Sequence, residues 1–329
     1  MQDRLVGFTL NRKYRLRKFL AEELLGRVYL ADNIDTGEML NVKVLHEHLA
    51  DNLEAFGRFG REMMATATIR HPNVVRLIDF GEHHNFHFLV FEQIVATPLH
   101  QVLADERRLL PFRTAHIAHQ LAEALEAAHS EDIIHRNLSS TNVLLLHNAY
   151  GDYVKIRDFA LARIHDQDGN PEDGGLTNAG VRVGDIRYMA PEYVTGGVLD
   201  ARSDAYALGV LMFEMLVGDL PFSSDALWDV EGRATPPAPS SRVQNIPPWL
   251  DTLVVSLMAP IPHHRPPRCM AVVEALERGT GQKLDRPGLI PLEDPDAVAE
   301  ELARRRAKRE QSSATPSVFA RLRGLVSRR

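Results

Sequence analysis

The 329-residue sequence predicts an α+β fold in two lobes: a small β-rich lobe with one long helix, and a large, mainly helical lobe. Three observations carry that prediction. Up to Glu92 the apolar residues fall in short β-rich runs bounded by Gly, Asp or Asn. Beyond Glu92 they recur at helical spacing. Asp204–Val217 is apolar nearly all round, as suits a helix enclosed by a large core.

The predicted strands are Tyr14–Leu20, Val28–Asn33, Met39–Leu45 and Phe86–Glu92. Between the third and fourth, Leu53–Ile69 reads as a helix with Phe56, Phe59 and Met63 on one face. His71-Pro72 ends it, because proline disfavours helical backbone in the residue before it. In the second lobe Ile117, Leu121, Leu125 and Ala128 mark a helix. Residues 166–180, rich in polar and turn residues, read as a long loop, and 232–248 as a Pro/Ser-rich connection. Periodicity resumes over Pro248–Leu276; past Gly279 the composition turns Pro-rich, then Arg-rich. The packed unit is therefore expected over residues 14–278, with the lobes meeting after 92, and 279–329 as an appended basic tail.

A hydrophobic content of 44% allows a substantial core without marking a membrane protein. The single cysteine, Cys269, excludes an internal disulfide and fits a reducing compartment. Met1-Gln2-Asp3-Arg4 begins no secretory leader, and the longest apolar stretch, Ala205–Val217, is too short for a bilayer and carries Glu214. A cytoplasmic location is expected. The net charge of −6 is uneven: Glu301–Arg329 holds nine Lys/Arg against two Asp/Glu, a net +7, leaving −13 on the first 300 residues. So acidic a body argues against a nucleic-acid partner. In the tail, Val318, Phe319, Leu322, Leu325 and Val326 share one helical face among Arg321, Arg323, Arg328 and Arg329. That pattern suits peripheral attachment to an anionic membrane or a protein partner's groove, and equally a solvated end.

The remaining signals acquire meaning from their order. Lys43 stands in Leu40-Asn41-Val42-Lys43-Val44-Leu45, and Glu62 in Arg58-Phe59-Gly60-Arg61-Glu62. His71-Pro72-Asn73-Val74-Val75 follows, then His135-Arg136-Asn137-Leu138-Ser139-Ser140-Thr141-Asn142. Asp158-Phe159-Ala160, Ala190-Pro191-Glu192, Ser203-Asp204 through Glu214-Met215, and Arg265 complete the series. Over roughly residues 14–278 this chain resembles the Hanks-type serine/threonine protein kinases of bacteria. The resemblance implies ATP and Mg²⁺ as cofactors. It implies nucleotide contacts at Gly26, Val28, Lys43, Glu62, Glu92, Gln93 and Leu144, and Mg²⁺ ligands at Asn142 and Asp158. It also implies that Glu62 pairs with Lys43 and Glu192 with Arg265, and that Asp204 accepts backbone hydrogen bonds near His135.

The departures from the family pattern gather at the chemistry. Asn137 holds the position of the catalytic base, and an amide takes up no proton at neutral pH. Loss of a general base typically costs about 10²–10⁴ in rate. Ser139 replaces the loop lysine, and Asp185 replaces a threonine that in the family contacts both positions. The phosphate loop, Ala21-Glu22-Glu23-Leu24-Leu25-Gly26, keeps one of three glycines and sets the Glu23 carboxylate where phosphates would lie. Asn41 puts an amide against the adenine slot, and Ala160 stiffens the metal-binding triplet. The expected function is a pseudokinase, a signalling module that binds a protein partner and holds ATP weakly or not at all. The alternative is a low-activity serine/threonine kinase transferring the γ-phosphate of ATP to protein hydroxyls. His135 and Phe159 read as core residues; His83, His84 and His87 as an exposed hairpin; His46 and His48 as no metal site; and Thr177, followed by Ala179, as an unmodified loop residue.

Overall fold

The computed structural model describes residues 3–148, 151–159, 163–164, 184–223 and 235–284. Ala160, the 166–180 loop with Thr177, and the basic tail with its Val318–Val326 face lie outside the described residues.

Alternating burial builds the small lobe. Its sheet is antiparallel and six-stranded, in the order β1-β2-β3-β4-β6-β5. The strands are β1 (Thr9–Leu10), β2 (Tyr14–Glu22), β3 (Gly26–Asn33), β4 (Met39–Leu45), β5 (Leu77–His83) and β6 (Phe86–Glu92). Successive side chains of a strand point to opposite faces. Leu40, Val42 and Val44 of β4 therefore join Tyr14, Leu16, Tyr29, Ala31 and Val90 in one core, leaving Asn41, Lys43 and Leu45 on the other face. The first core also takes in Leu5 and Leu10, and the Asp3 carboxylate accepts from Tyr29 Oη at 2.8 Å, so the segment before residue 14 is packed onto the sheet.

Helix α1 (Leu53–Thr68) covers the second face, its N-terminus capped by the Asn52 side chain accepting from Ala55 N–H at 2.9 Å. Its buried line is Ala55, Phe59, Glu62, Ala65 and Thr66. Phe56, expected on that face, is 42% exposed and lies edge-on to His87. The rotation of α1 is fixed by Glu62 reaching Lys43, which carries position 56 to the rim. The β5–β6 hairpin carries the three histidines, with His83 paired to Phe86 and His84 at φ 55 in the turn. No metal-binding cluster occurs among the described residues.

The large lobe comprises α2 (Leu99–Glu106), α3 (Pro111–His129), α4 (Pro191–Thr195), α5 (Ala201–Val217), α6 (Pro248–Leu257) and α7 (Cys269–Thr280). Helix α5 runs through its centre, capped by Asp200 and stopped by Gly218 in the left-handed region. Its burial is nearly all round, as its sequence predicts. Helix α7 opens on the fully buried Cys269, and the same core extends to Leu284, 3% exposed. No helix among the described residues is long and apolar enough to cross a membrane.

Candidate functional site

Between the lobes, the cleft face of β3 and β4 presents Val28 directly beside Lys43, both fixed by the antiparallel register. Lys43 is 4% exposed, and its Nζ lies 2.8 and 3.1 Å from the two carboxylate oxygens of Glu62 on α1. The expected lysine–glutamate pair is therefore formed. Glu23, in the turn between β2 and β3, also approaches Lys43 Nζ, at 2.9 Å, and its other oxygen lies 3.4 Å from an Arg157 guanidinium nitrogen. Burial opposes the charge on Lys43, but the carboxylates of Glu62, Glu23 and Asp158 outweigh it and raise its pKa. Glu62, buried among that excess of negative charge, is pushed up to about 7 despite Lys43. Burial would raise Glu23 too, yet Lys43 and Arg157 hold it below the usual carboxylate range.

Gly26 has a structural reason to remain glycine: a Cβ there would stand 2.2 Å from the Val44 carbonyl oxygen, where β3 presses on β4. Glu92 ends β6 and turns its carboxylate to Lys155 and to the Arg76 N–H, so that side chain braces the lobes. Gln93 follows, half-buried, in the connection to β7 (Thr97–Pro98). Leu144 is half-buried on β9 (Val143–Asn148), opposite Pro98 on one side and Lys155 of β10 (Gly151–Ile156) on the other.

The short strand β8 (Ile133–Ile134) leads into the loop 135–142. Asp204 of α5 anchors that loop from below, accepting from the backbone N–H of His135 at 2.8 Å and of Arg136 at 2.9 Å, while His129 Nε2 lies 2.7 Å away. Burial would raise the Asp204 pKa, but those partners leave it lowered. His135 and Phe159 are buried with ring centroids 4.4 Å apart, as core residues. On this base the Asn137 side-chain amide donates to Asp158 Oδ2 at 2.8 Å, and the Asn142 amide donates to the Asn137 carbonyl at 2.8 Å. Asp158 itself sits at φ 67, a left-handed conformation uncommon for a non-glycine residue.

The other departures have local partners. Ser139 Oγ is 2.8 Å from Thr141 Oγ1, and Asp185 caps the turn Ile186–Tyr188 while pairing with Arg187. Asn137 and Asp185 line one small cavity with Arg136 and Tyr188; Ser139 is not part of that lining. Glu192 and Arg265 form the expected pair, at 2.6 and 2.8 Å.

The structure thus gathers Lys43, Glu62, Asn137, Asn142 and Asp158 in one cleft. It adds Arg157, whose part is invisible in sequence because it depends on which side chain the opposing turn sends across. In this arrangement the residues do not fit MgATP: Glu23 stands on the lysine that would meet phosphate, and an amide proton faces the aspartate that would meet the metal.

A fold of this kind with this loop order defines a protein-kinase-type cleft. A family model for the protein kinase domain matches residues 15–276, and the chain belongs to that family. Serine/threonine-protein kinase pkn3 of Myxococcus xanthus is 34% identical over 275 residues, 80% of this chain and 49% of that protein. Serine/threonine-protein kinase PknB of Mycobacterium tuberculosis is 30% identical over 263 residues, 78% of this chain and 41% of that protein. The chain spans half or less of the length of these relatives. The crystal structure of the Mycobacterium tuberculosis PknI kinase domain matches with a TM-score of 0.63 at 24% identity, over 83% of this chain and 98% of that one, a likeness of fold.

Proposed function

We propose that this chain is a catalytically impaired kinase homologue, a signalling module that acts by binding a protein partner and not by transferring phosphate. The observation that carries this reading is the Asn137 side chain, whose amide donates to Asp158 Oδ2 at 2.8 Å. A carboxylate at position 137 would accept a substrate hydroxyl's proton; the amide has no basic site to do so. Ser139, bonded to Thr141, supplies no positive charge to a moving phosphoryl group. A second reading, a low-activity serine/threonine kinase, is favoured by the intact Lys43–Glu62 pair, by Asn142 and Asp158, and by the names of the relatives, which are serine/threonine kinases.

A radiolabelled phosphotransfer assay decides between them. The purified protein, given ATP and Mg²⁺, is expected to label neither itself nor a generic substrate above a Lys43→Ala control. Clear Lys43-dependent incorporation would establish the second reading instead.

A further inference from the structure

We propose that the Glu23 carboxylate is an intramolecular substitute for a nucleotide phosphate, so that the small lobe's own turn fills the anion subsite of the cleft and excludes ATP. The inference rests on the reading of the cleft as a degenerate nucleotide site, and deepens it by naming what occupies that site.

Three features of the turn support it. An ammonium group has three N–H bonds, and Lys43 Nζ already has three carboxylate oxygens within 3.1 Å, two from Glu62 and one from Glu23. A phosphate reaches that nitrogen only by displacing one of them, and Glu23 is the one borne on a surface turn. The second oxygen of Glu23 faces Arg157 in the large lobe, so one carboxylate spans two cations on opposite sides of the cleft, as the oxygens of a bound phosphate would.

The turn is also held inward without a ligand. Glu23 N–H donates to the Gly26 carbonyl at 2.8 Å, His46 N–H donates to the Leu25 carbonyl at 3.0 Å, and His46 Nε2 lies 3.0 Å from the Glu23 carbonyl oxygen. Leu25 is 5% exposed and packs with Leu45, Ala55, Phe59 and Leu89 between sheet and helix. A tethered group of this kind competes at an effective concentration of roughly millimolar, so a free nucleotide must overcome it before it binds.

The test compares the full-length protein with Glu23→Gln, titrated with ATP, with and without Mg²⁺, and with adenosine as a phosphate-free probe. Calorimetry and thermal shift are the readouts. Glu23→Gln is expected to tighten ATP by about tenfold or more, since it removes one charge at contact distance from the phosphates, and to leave adenosine unchanged. Unchanged ATP affinity overturns the proposal, and so does an equal gain for adenosine, which would mean that the substitution merely opens the cleft. Should Glu23→Gln fold poorly, Glu23→Ala removes the same carboxylate while leaving Lys43 and Arg157 in place, with the gain again confined to ATP. Amide exchange supplies an independent check in the unmodified protein: the Glu23 and His46 amides should exchange slowly without ligand, and rapid exchange refutes a turn that is held shut. The two readings fail separately. Phosphate incorporation by the unmodified protein refutes catalytic impairment, whereas an ATP affinity indifferent to Glu23 refutes the plug.

Discussion

Position 137 differs from a catalytic aspartate by one group, yet the change turns an acceptor into a hydrogen-bond donor. The Asn137 amide donates a hydrogen bond to Asp158 Oδ2, so the two side chains attract where two carboxylates would repel. Restoring the base by Asn137→Asp is therefore expected to destabilise the ligand-free protein by ~1–3 kcal/mol, through the lost bond and the new like-charge contact. Mg²⁺ should recover part of the loss, because a divalent ion relieves that repulsion and binds the folded state alone. Phosphotransfer should stay negligible, since Ser139, Glu23 and Asn41 remain and residues acting as a unit are not additive. Thermal melts with and without Mg²⁺, beside the labelling assay, check both parts; ordinary kinase turnover from this one change would show the cleft to be far less altered.

At the scale of the element, the β2–β3 hairpin is decided by packing as much as by charge. A methyl group on residue 26 would meet the Val44 carbonyl at 2.2 Å, and backbone cannot yield as a flexible side chain can. Gly26→Ala should force β3 off β4 at a cost of ~1–3 kcal/mol, the range for overpacking a tight contact. A chemical-denaturation curve reads this directly, and a neutral result would mean that the sheet bends there freely. The same hairpin marks how far sequence reasoning reaches. Strands β2, β3, β4 and β6 were legible as short β-rich runs bounded by Gly, Asp or Asn, and α5 because it is apolar nearly all round. The edge strand β5 holds Asp79, Gly81 and Glu82, residue types depleted in strands, and β1 has two residues, so neither left a usable pattern. Of the site, Lys43, Glu62 and Asp204 could be assigned partners through the family resemblance that the order of motifs carries. The reach of Glu23 to Lys43 and Arg157 could not, because a turn's direction depends on contacts such as Leu25 beneath it.

Across the whole molecule, the two lobes are joined by more than their covalent link. Val75 N–H donates to the Ile156 carbonyl, Ile156 N–H to Asn73, and the Asn73 side chain to Val154. Two buried groups beside this seam make stability depend on pH with opposite signs. Burial lowers the His135 pKa below 6.5, so the unfolded chain takes up a proton that the fold refuses, and stability declines as pH falls below that value. Glu62, raised from 4.5 to about 7, binds a proton in the fold that the unfolded chain lacks, so its effect is a loss of stability as pH rises through that window. The unmodified protein should show a shallow profile between pH 5 and 7, on the order of the cancellation between the two. Glu62→Gln removes the opposing contribution, and its melting temperature should fall steadily from pH 7 to pH 5. A flat profile in that variant would place the histidine effect elsewhere.

Cys269 begins α7 with no exposed surface, and the sequence has no other cysteine. Burial raises its thiol pKa well above the ordinary value, which suppresses the thiolate that maleimide dyes require. The folded chain is in effect a cysteine-free background. A thiol introduced at an exposed residue such as Val198, and another at Leu24 on the hairpin turn, could carry a fluorophore pair without first removing the native residue. Distances between the lobes could then be followed molecule by molecule as nucleotide or a binding protein is added.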